Sequence, residues 1–387
     1  MPRRPLAAAL ALALLAWSPA AHAAHTVFVN FDGVVMRGGV SDATMNRSPL
    51  VACADAVDYP GYTLTADARR DVLGMVRYYL ADFDVEVVDV RPPGDVYTMI
   101  VVGGSAGRLC RRVAASGLSP VDCRNAQPSD VAFVFADGMR GPLDLAAGIG
   151  HELGHAVGLE HTDSASDLMY PTAGALGYFS GAVVVSDGGS GHRFRPERSA
   201  CDGEVEQSSR GRMLGAFGPA RAPLVYGRPT LALEADGDGR GLRLLGGHGT
   251  SRLLLSSVTV EVDDAAFFVR GEPDEAGQGH ITWRLRPGPH RVRATVIDRI
   301  GQSASASVEV TVPGEDAPCT TDASCGWVHG PQTQHDQPLA CELGACVPRH
   351  AEAPAAAGCS VAPSRRPAAL ALLALLAAVL VVRARRA

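Results

Sequence analysis

Residues 151–161 read His-Glu-Leu-Gly-His-Ala-Val-Gly-Leu-Glu-His, the stretch of this chain with the clearest capacity for chemistry. On a helix, His151 and His155 stand one turn apart on the same face, so both imidazoles can reach one metal ion. Glu152 follows His151 directly, which sets a carboxylate beside the open coordination position. Gly158 lets the chain leave the helix, because glycine tolerates a positive φ. His161 can then fold back and supply a third nitrogen. Three protein ligands leave zinc one position for water, the pattern of catalytic rather than structural sites. A bare His-Glu-x-x-His recurs by chance on long helices; the glycine and third histidine at this spacing make the pattern specific.

Such a site needs a helix to carry it and a sheet to hold the helix. Residues 143–158 read as that helix, with Pro142 at its start and Gly158 at its end. Residues 67–83 form a second, amphipathic helix, with Val72, Met75, Val76, Tyr79, Leu80 and Phe83 at helical spacing. Residues 25–31, 85–90, 97–102 and 131–135 read as strands, and residues 204–217 as one more helix. Together they predict a mixed α/β (α+β) catalytic domain with an active-site helix, spanning residues 24–218.

The motif at 151–161, followed by Thr162 and by Leu168-Met169-Tyr170-Pro171, resembles the metzincin zinc metalloproteases, and most closely their matrixin branch. The resemblance covers residues 151–171. It implies that His151, His155 and His161 bind Zn2+, that Glu152 is the general base, and that Met169 forms the turn beneath the metal, supporting its ligands without coordinating it. It implies a zinc endopeptidase acting on proteins or peptides. Tyr170 is a possible auxiliary to the oxyanion, or else part of the wall; His192 reads as a loop histidine. Residues 172–186, mostly small or apolar, would shape the specificity pocket and favour an apolar side chain. The latency segment of matrixins is not recognisable. Cys53 could cap the zinc, although a disulfide suits it better. Calcium has no obvious site; Asp236, Asp238, Asp263 and Asp264 could hold it, but acidic turn residues are usually just solvated.

Beyond residue 218 the texture changes. Short alternating runs at 231–235, 258–262, 280–285, 292–297 and 304–312, separated by turn residues, predict an all-β sandwich over 229–313. Residues 285–312 resemble bacterial immunoglobulin-like domains. Residues 315–347 form a small disulfide-rich module, and 348–367 a linker containing Gly358-Cys359-Ser360. Residues 368–387 are an apolar segment with an Arg-rich tip, and the run is shorter than the ~20 residues of a spanning helix. This ending resembles the C-terminal sorting signal of myxobacterial surface proteins. That implies processing near Cys359 and attachment to, or release from, the envelope of a Gram-negative cell. Residues 1–23 have the basic start, apolar stretch and Ala21-His22-Ala23 box of a secretory signal peptide.

The 387-residue chain carries 47% apolar residues and a net charge of −6. With the seven arginines of the two ends set aside (Arg3, Arg4, Arg365, Arg366, Arg383, Arg385, Arg386), the balance falls to about −13. That acidity argues against nucleic acid as a partner. Cys53, Cys110, Cys123 and Cys201 form one set, and Cys319, Cys325, Cys341 and Cys346 another. Even sets in an exported chain favour disulfides. Each set allows three pairings; the short polar loop between Cys110 and Cys123 favours that pair. Two further readings stay open: a surface adhesion or interaction protein with a vestigial protease domain, and another zinc amide hydrolase such as an aminopeptidase. The intact Glu152 speaks against the first, because a binding module needs no base.

Overall fold

In the computed structural model the first part of the chain builds β1 (His25–Asn30), β2 (Gly33–Gly38), β3 (Arg47–Ser48), β4 (Ala56–Pro60), α1 (Ala66–Tyr79), β5 (Val85–Val88), β6 (Thr98–Val102), β7 (Gly117–Leu118), β8 (Val131–Val134), α2 (Pro142–His155), β9 (Ala182–Val184), β10 (Glu206–Ser208) and α3 (Ser209–Phe217). The structure describes residues 24–348 apart from 53–54, 95, 112–114, 172–176, 187–195, 238–240, 272–277, 283–284, 315–317, 323–326 and 329–336. The expected signal segment, Cys359 and the apolar tail therefore lie outside the described residues, as do Cys53, His192 and Asp238. No described helix is long and apolar enough to cross a membrane.

The chain is mostly β with few helices. The first sheet has the order β5-β1-β6-β8-β7. Its strands run parallel except β7, which lies antiparallel to β8 at the edge. Every residue of β6 and β8 is buried, as parallel strands covered on both faces must be. Val27, Val29, Ile100, Val102, Ala132 and Val134 face α1 and α2. Phe28, Met99, Val101, Val131 and Phe133 form the opposite face, under Met36 and Tyr59 of the 33–60 excursion. The sheet β3-β2-β4 in that excursion has no counterpart in the sequence reading. Only Met36 in β2 and Tyr59 in β4 are fully buried, so no alternating pattern betrays these strands.

Helix α1 starts at Thr65, whose hydroxyl accepts from Ala68 N at 3.2 Å. Helix α2 begins with Pro142 at its first position and ends at His155, three residues short of the expected boundary. Leu159 N donates to Gly154 O at 2.9 Å and Gly158 N to His155 O at 2.9 Å. With φ at +88° for Gly158, this is the Schellman termination that glycine favours. The expected helix over 204–217 is corrected: residues 206–208 form β10 against β9, and α3 starts only after Ser208, whose Oγ accepts from Gly211 N at 3.0 Å. The side chain of Gln207 is held by the segment after α2, which keeps that stretch extended.

The second part contains β11 (Pro229–Ala235), β12 (Gly241–His248), β13 (Leu255–Val262), β14 (Ala265–Gly271), β15 (Gln278–Thr282), β16 (Gly288–Asp298) and β17 (Ser303–Val312). They form two antiparallel sheets, β11-β12-β15 and β14-β13-β16-β17, packed around Leu242, Leu244, Val258, Val260, Ile281, Val292 and Val296. Strands β12 and β14 have no counterpart among the runs expected from the sequence. Asp263 and Asp264 have φ of 51° and 60° and make the tight hairpin turn between β13 and β14, a geometry that suits Asp. A small sheet β18 (Trp327–Val328), β19 (Gln337–Glu342) and β20 (Ala345–Pro348) follows, with Cys319 bonded to Cys341.

The sandwich is docked on the first domain. The turn Arg252–Leu254 places Leu253 and Leu254 in the same core as Val72, Met75 and Val76 of α1. Arg252 Nε donates to buried Asp71 at 2.7 Å, and Ser251 Oγ to Asp71 O at 2.7 Å. Gly74 lets this turn approach: a β-carbon there would lie 2.5 Å from Thr250 O.

Candidate metal centre

Helix α2 carries His151, Glu152 and His155, and the Schellman turn at Gly158 brings His161 back beside them. The ring nitrogens of His151, His155 and His161 all lie within 4.8 Å of one another. Nε2 of His155 and Nε2 of His161 are 3.3 Å apart. His151 Nδ1 donates to Leu168 O at 2.8 Å, and His155 Nδ1 to Leu159 O at 2.7 Å. Because a carbonyl can only accept, these bonds fix the tautomers and leave Nε2 of both rings free as lone-pair donors. The segment carrying His161 is pinned on both sides: Thr162 N donates to Met169 O at 3.1 Å, and Ser186 N to His161 O at 2.9 Å.

Burial, with His161 nearby, drives the pKa of His151 down to about 4 despite the bond to Leu168. Burial and the two neighbouring rings push His155 well below the usual imidazole range. Burial lowers His161 as well. Burial also holds Glu152 well above the ordinary carboxylate range, and its Oε2 has no hydrogen-bond partner. Three unprotonated imidazoles and a buried carboxylate without a partner make a donor set that a cation would satisfy. The residues therefore fit a metal ion. Among the described residues, groups of three or more His, Cys, Asp or Glu donors converge only here.

Two of the aspartates considered for calcium, Asp236 and Asp263, have other partners. Asp236 Oδ2 is bonded to His280 at 2.8 Å and Asp263 Oδ2 to His290 at 2.7 Å. They belong to different sheets, so their carboxylates do not form one cage.

Met169 is fully buried, and its sulfur lies against Gly154 of α2, where any β-carbon would overlap it. It thus packs against α2 at the residue before His155. Asp167, which the sequence reading passed over, builds the turn that places it. This fully buried carboxylate accepts from Met169 N at 2.8 Å and Ser180 N at 2.9 Å. A lone Asp before the Leu-Met pair, in a run of small polar residues, was its only signal in the sequence. Tyr170 closes the same turn through its N–H to Asp167 O at 3.0 Å; its neighbour Pro171, not Tyr170 itself, lines the cleft.

The cleft over the histidines measures about 530 Å³. Its lining includes Ser116, Gly117, Leu118 and Val121 around β7, and Ser186, Glu197 and Ala200 from the later loops. Gly117 of β7 touches Glu152, and a β-carbon there would overlap the carboxylate.

No protein-family profile and no curated protein matches this chain. Solved structures give only distant likenesses. The PKD1 domain of the Vibrio cholerae metalloprotease PrtV is 15% identical over 22% of this chain and 99% of its own, with a TM-score of 0.18. Fibronectin(III)-like modules of Clostridium thermocellum CbhA are 17% identical over 34% of this chain and 59% of theirs, at 0.19. OgpA from Akkermansia muciniphila is 11% identical over 75% of this chain and 92% of its own, also at 0.19. Likeness at this level assigns neither family nor activity.

The cysteines depart from the expected pairing. Cys123 is bonded to Cys201 rather than to Cys110, and Cys110 is itself disulfide-bonded. The left-handed Cys110 ends the short turn of residues 106–109. The polar loop to Cys123 runs on to the exit of α2.

Proposed function

We propose that this chain is an exported zinc-dependent endopeptidase, in keeping with the metzincin resemblance of residues 151–171. One observation carries the reading. Three imidazoles with oriented Nε2 atoms converge beside a buried carboxylate oxygen that has no partner, at the floor of a cleft bordered by a sheet edge. His151, His155 and His161 would hold the metal. Zinc, when bound, lowers the pKa of a water and polarises a carbonyl. Glu152, buried beside the histidines with its Oε2 free of partners, would take the proton of such a water and hand it to a leaving amine. Strand β7 offers main-chain donors and acceptors along the edge of its sheet, the usual way to bind an extended peptide. Gly117 puts no side chain between such a peptide and Glu152.

Export is supported by the disulfides Cys123–Cys201 and Cys319–Cys341, which persist in oxidising compartments. The test is digestion of a random peptide library by the secreted protein loaded with zinc, with Glu152→Ala as control. Internal cuts that vanish in the variant support the endopeptidase. Release of single N-terminal residues would instead favour an aminopeptidase. Bound zinc with no cleavage would leave the adhesion protein with a vestigial site.

A further inference from the structure

We infer that the Cys123–Cys201 disulfide, together with Glu160 and Arg212, is a positioning brace for the third metal ligand, His161. The inference rests on the metal-binding reading of the three histidines. It concerns how the ligand that does not belong to the helix is held.

His151 and His155 are fixed by α2 itself. His161 lies beyond the helix end, on a segment whose position depends on what packs around residues 156–161. Two loops supply that packing. The first contains Asp122 and Cys123. Asp122 N donates to His155 O at 3.1 Å, capping the end of α2. The loop then runs so close to Gly158 that a β-carbon there would lie 2.9 Å from Asp122 O and 3.0 Å from Cys123 Cα. The second loop contains Ser199, Ala200 and Cys201. Ser199 Oγ and Ala200 N both donate to Glu160 Oε1, at 3.1 and 2.7 Å. The disulfide joins the two loops across Gly158, with Cys201 Sγ 3.5 Å from Gly158 O.

Arg212 of α3 closes the ring. Its Nη1 donates to Gly158 O at 2.6 Å and its Nη2 to Ser199 Oγ at 3.2 Å, and it pairs with Asp202. Gln207 of β10 holds the backbone of Glu160 from the remaining side, accepting from Glu160 N at 3.1 Å and donating to Glu160 O at 2.7 Å. The residue directly before His161 is thus fixed by its N–H, its carbonyl and its carboxylate. The same two loops contribute Val121 and Ala200 to the lining of the cleft. A covalent tie between them therefore bears on both the ligand and the lining of the cleft. Without it, the Ser199–Cys201 loop is tied to the exit of α2 by hydrogen bonds alone, to Glu160 and through Arg212 to Gly158, and the backbone just before His161 loses its covalent clamp.

The test uses the full chain and reads the metal rather than activity. Zinc affinity is measured by competition with a chromophoric chelator, and the geometry of the site by the visible spectrum of the cobalt(II)-loaded protein. Four proteins are compared: wild type, Cys123→Ala/Cys201→Ala, Glu160→Ala, and Cys319→Ala/Cys341→Ala. The last removes a disulfide remote from the site. Loss of a brace around a ligand is expected to weaken zinc binding about 10–100-fold and to alter the cobalt spectrum in the first double variant. Glu160→Ala is expected to follow it in direction, and Cys319→Ala/Cys341→Ala to match wild type in both readouts. Glu160→Ala keeps the disulfide, so it carries the test alone should the first double variant fail to fold. Wild-type affinity and spectrum in the Cys123/Cys201 and Glu160 variants would overturn the brace while leaving the metal site standing. Failure of wild type to bind zinc or cobalt would overturn the metal reading itself, and the brace with it.

Discussion

The sulfur of Met169 occupies the space where a β-carbon of Gly154 would stand, one position before His155 on the metal-site helix. Leu159 Cδ1 closes the same space at 3.2 Å. A methyl group added at residue 154 must therefore displace Met169, the helix or both. Gly154→Ala is expected to lower stability by about 1–3 kcal/mol, the usual cost of overpacking a core, even though alanine is the better helix former. Met169→Leu, a swap of similar volume, is expected to cost less than about 1.5 kcal/mol. Thermal unfolding of both variants checks this; a stabilised Gly154→Ala would show that the helix and Met169 are not in contact.

Gly117 and Glu152 are related in the same way across the cleft. Gly117→Ala would press the carboxylate out of its seat without touching a histidine. On the proposed peptidase reading, the variant is expected to keep zinc affinity while kcat/KM on a peptide substrate falls about a hundredfold, as misplacement of a reacting group by about 1 Å does. Equal losses of metal and activity would mean that the strand supports the ligands rather than the base.

The parts of the site that were legible in the sequence are those that a local period or a fixed spacing encodes. His151, Glu152 and His155 follow from helical geometry, and Gly158 from its place at a helix end. The structure brings His161 beside them. Strands β6 and β8 could be read because a strand buried on both faces is apolar throughout. What remained hidden is held by contacts between distant residues. Gln207 reads as a helical residue until its amide is seen to pair with the backbone of Glu160. Cys123 reads as the partner of the nearest cysteine, because nothing local announces a bond to Cys201. Asp167 carries no period at all. Strands β2 and β4 escaped because each buries a single large side chain.

The sandwich meets the first domain at Leu253 and Leu254. Both belong to the core that contains α1, α2 and Met169, so the second domain completes the first. Leu254 is fully buried, and Leu254→Ala is expected to cost about 2–5 kcal/mol, the range for truncating a core leucine. Calorimetry of the wild type is expected to show the first domain and the sandwich unfolding together, with the variant shifted as a unit. Two separate transitions, with only the sandwich moved by the substitution, would make it an independent module.

Asp130 gives the protein a pH dependence apart from the metal centre. Its side chain is buried before β8, its Oδ2 has no partner, and burial raises its pKa to about 7 against a hydrogen bond from Ser41. The folded state therefore holds this proton at pH values where the unfolded chain, with an ordinary carboxylate near 3.8, has released it. Because the folded state binds more protons than the unfolded one, stability falls as pH rises between those two values. The contribution is fully present below about pH 4 and is lost once pH passes about 7. Asp130→Asn removes the titrating proton and keeps the shape of the side chain. Its melting temperature relative to wild type is expected to be more favourable at pH 8 than at pH 5. A difference between the two proteins that stays constant from pH 5 to pH 8 would show that Asp130 is charged in the folded state, with a cation or water supplying the partner its Oδ2 lacks.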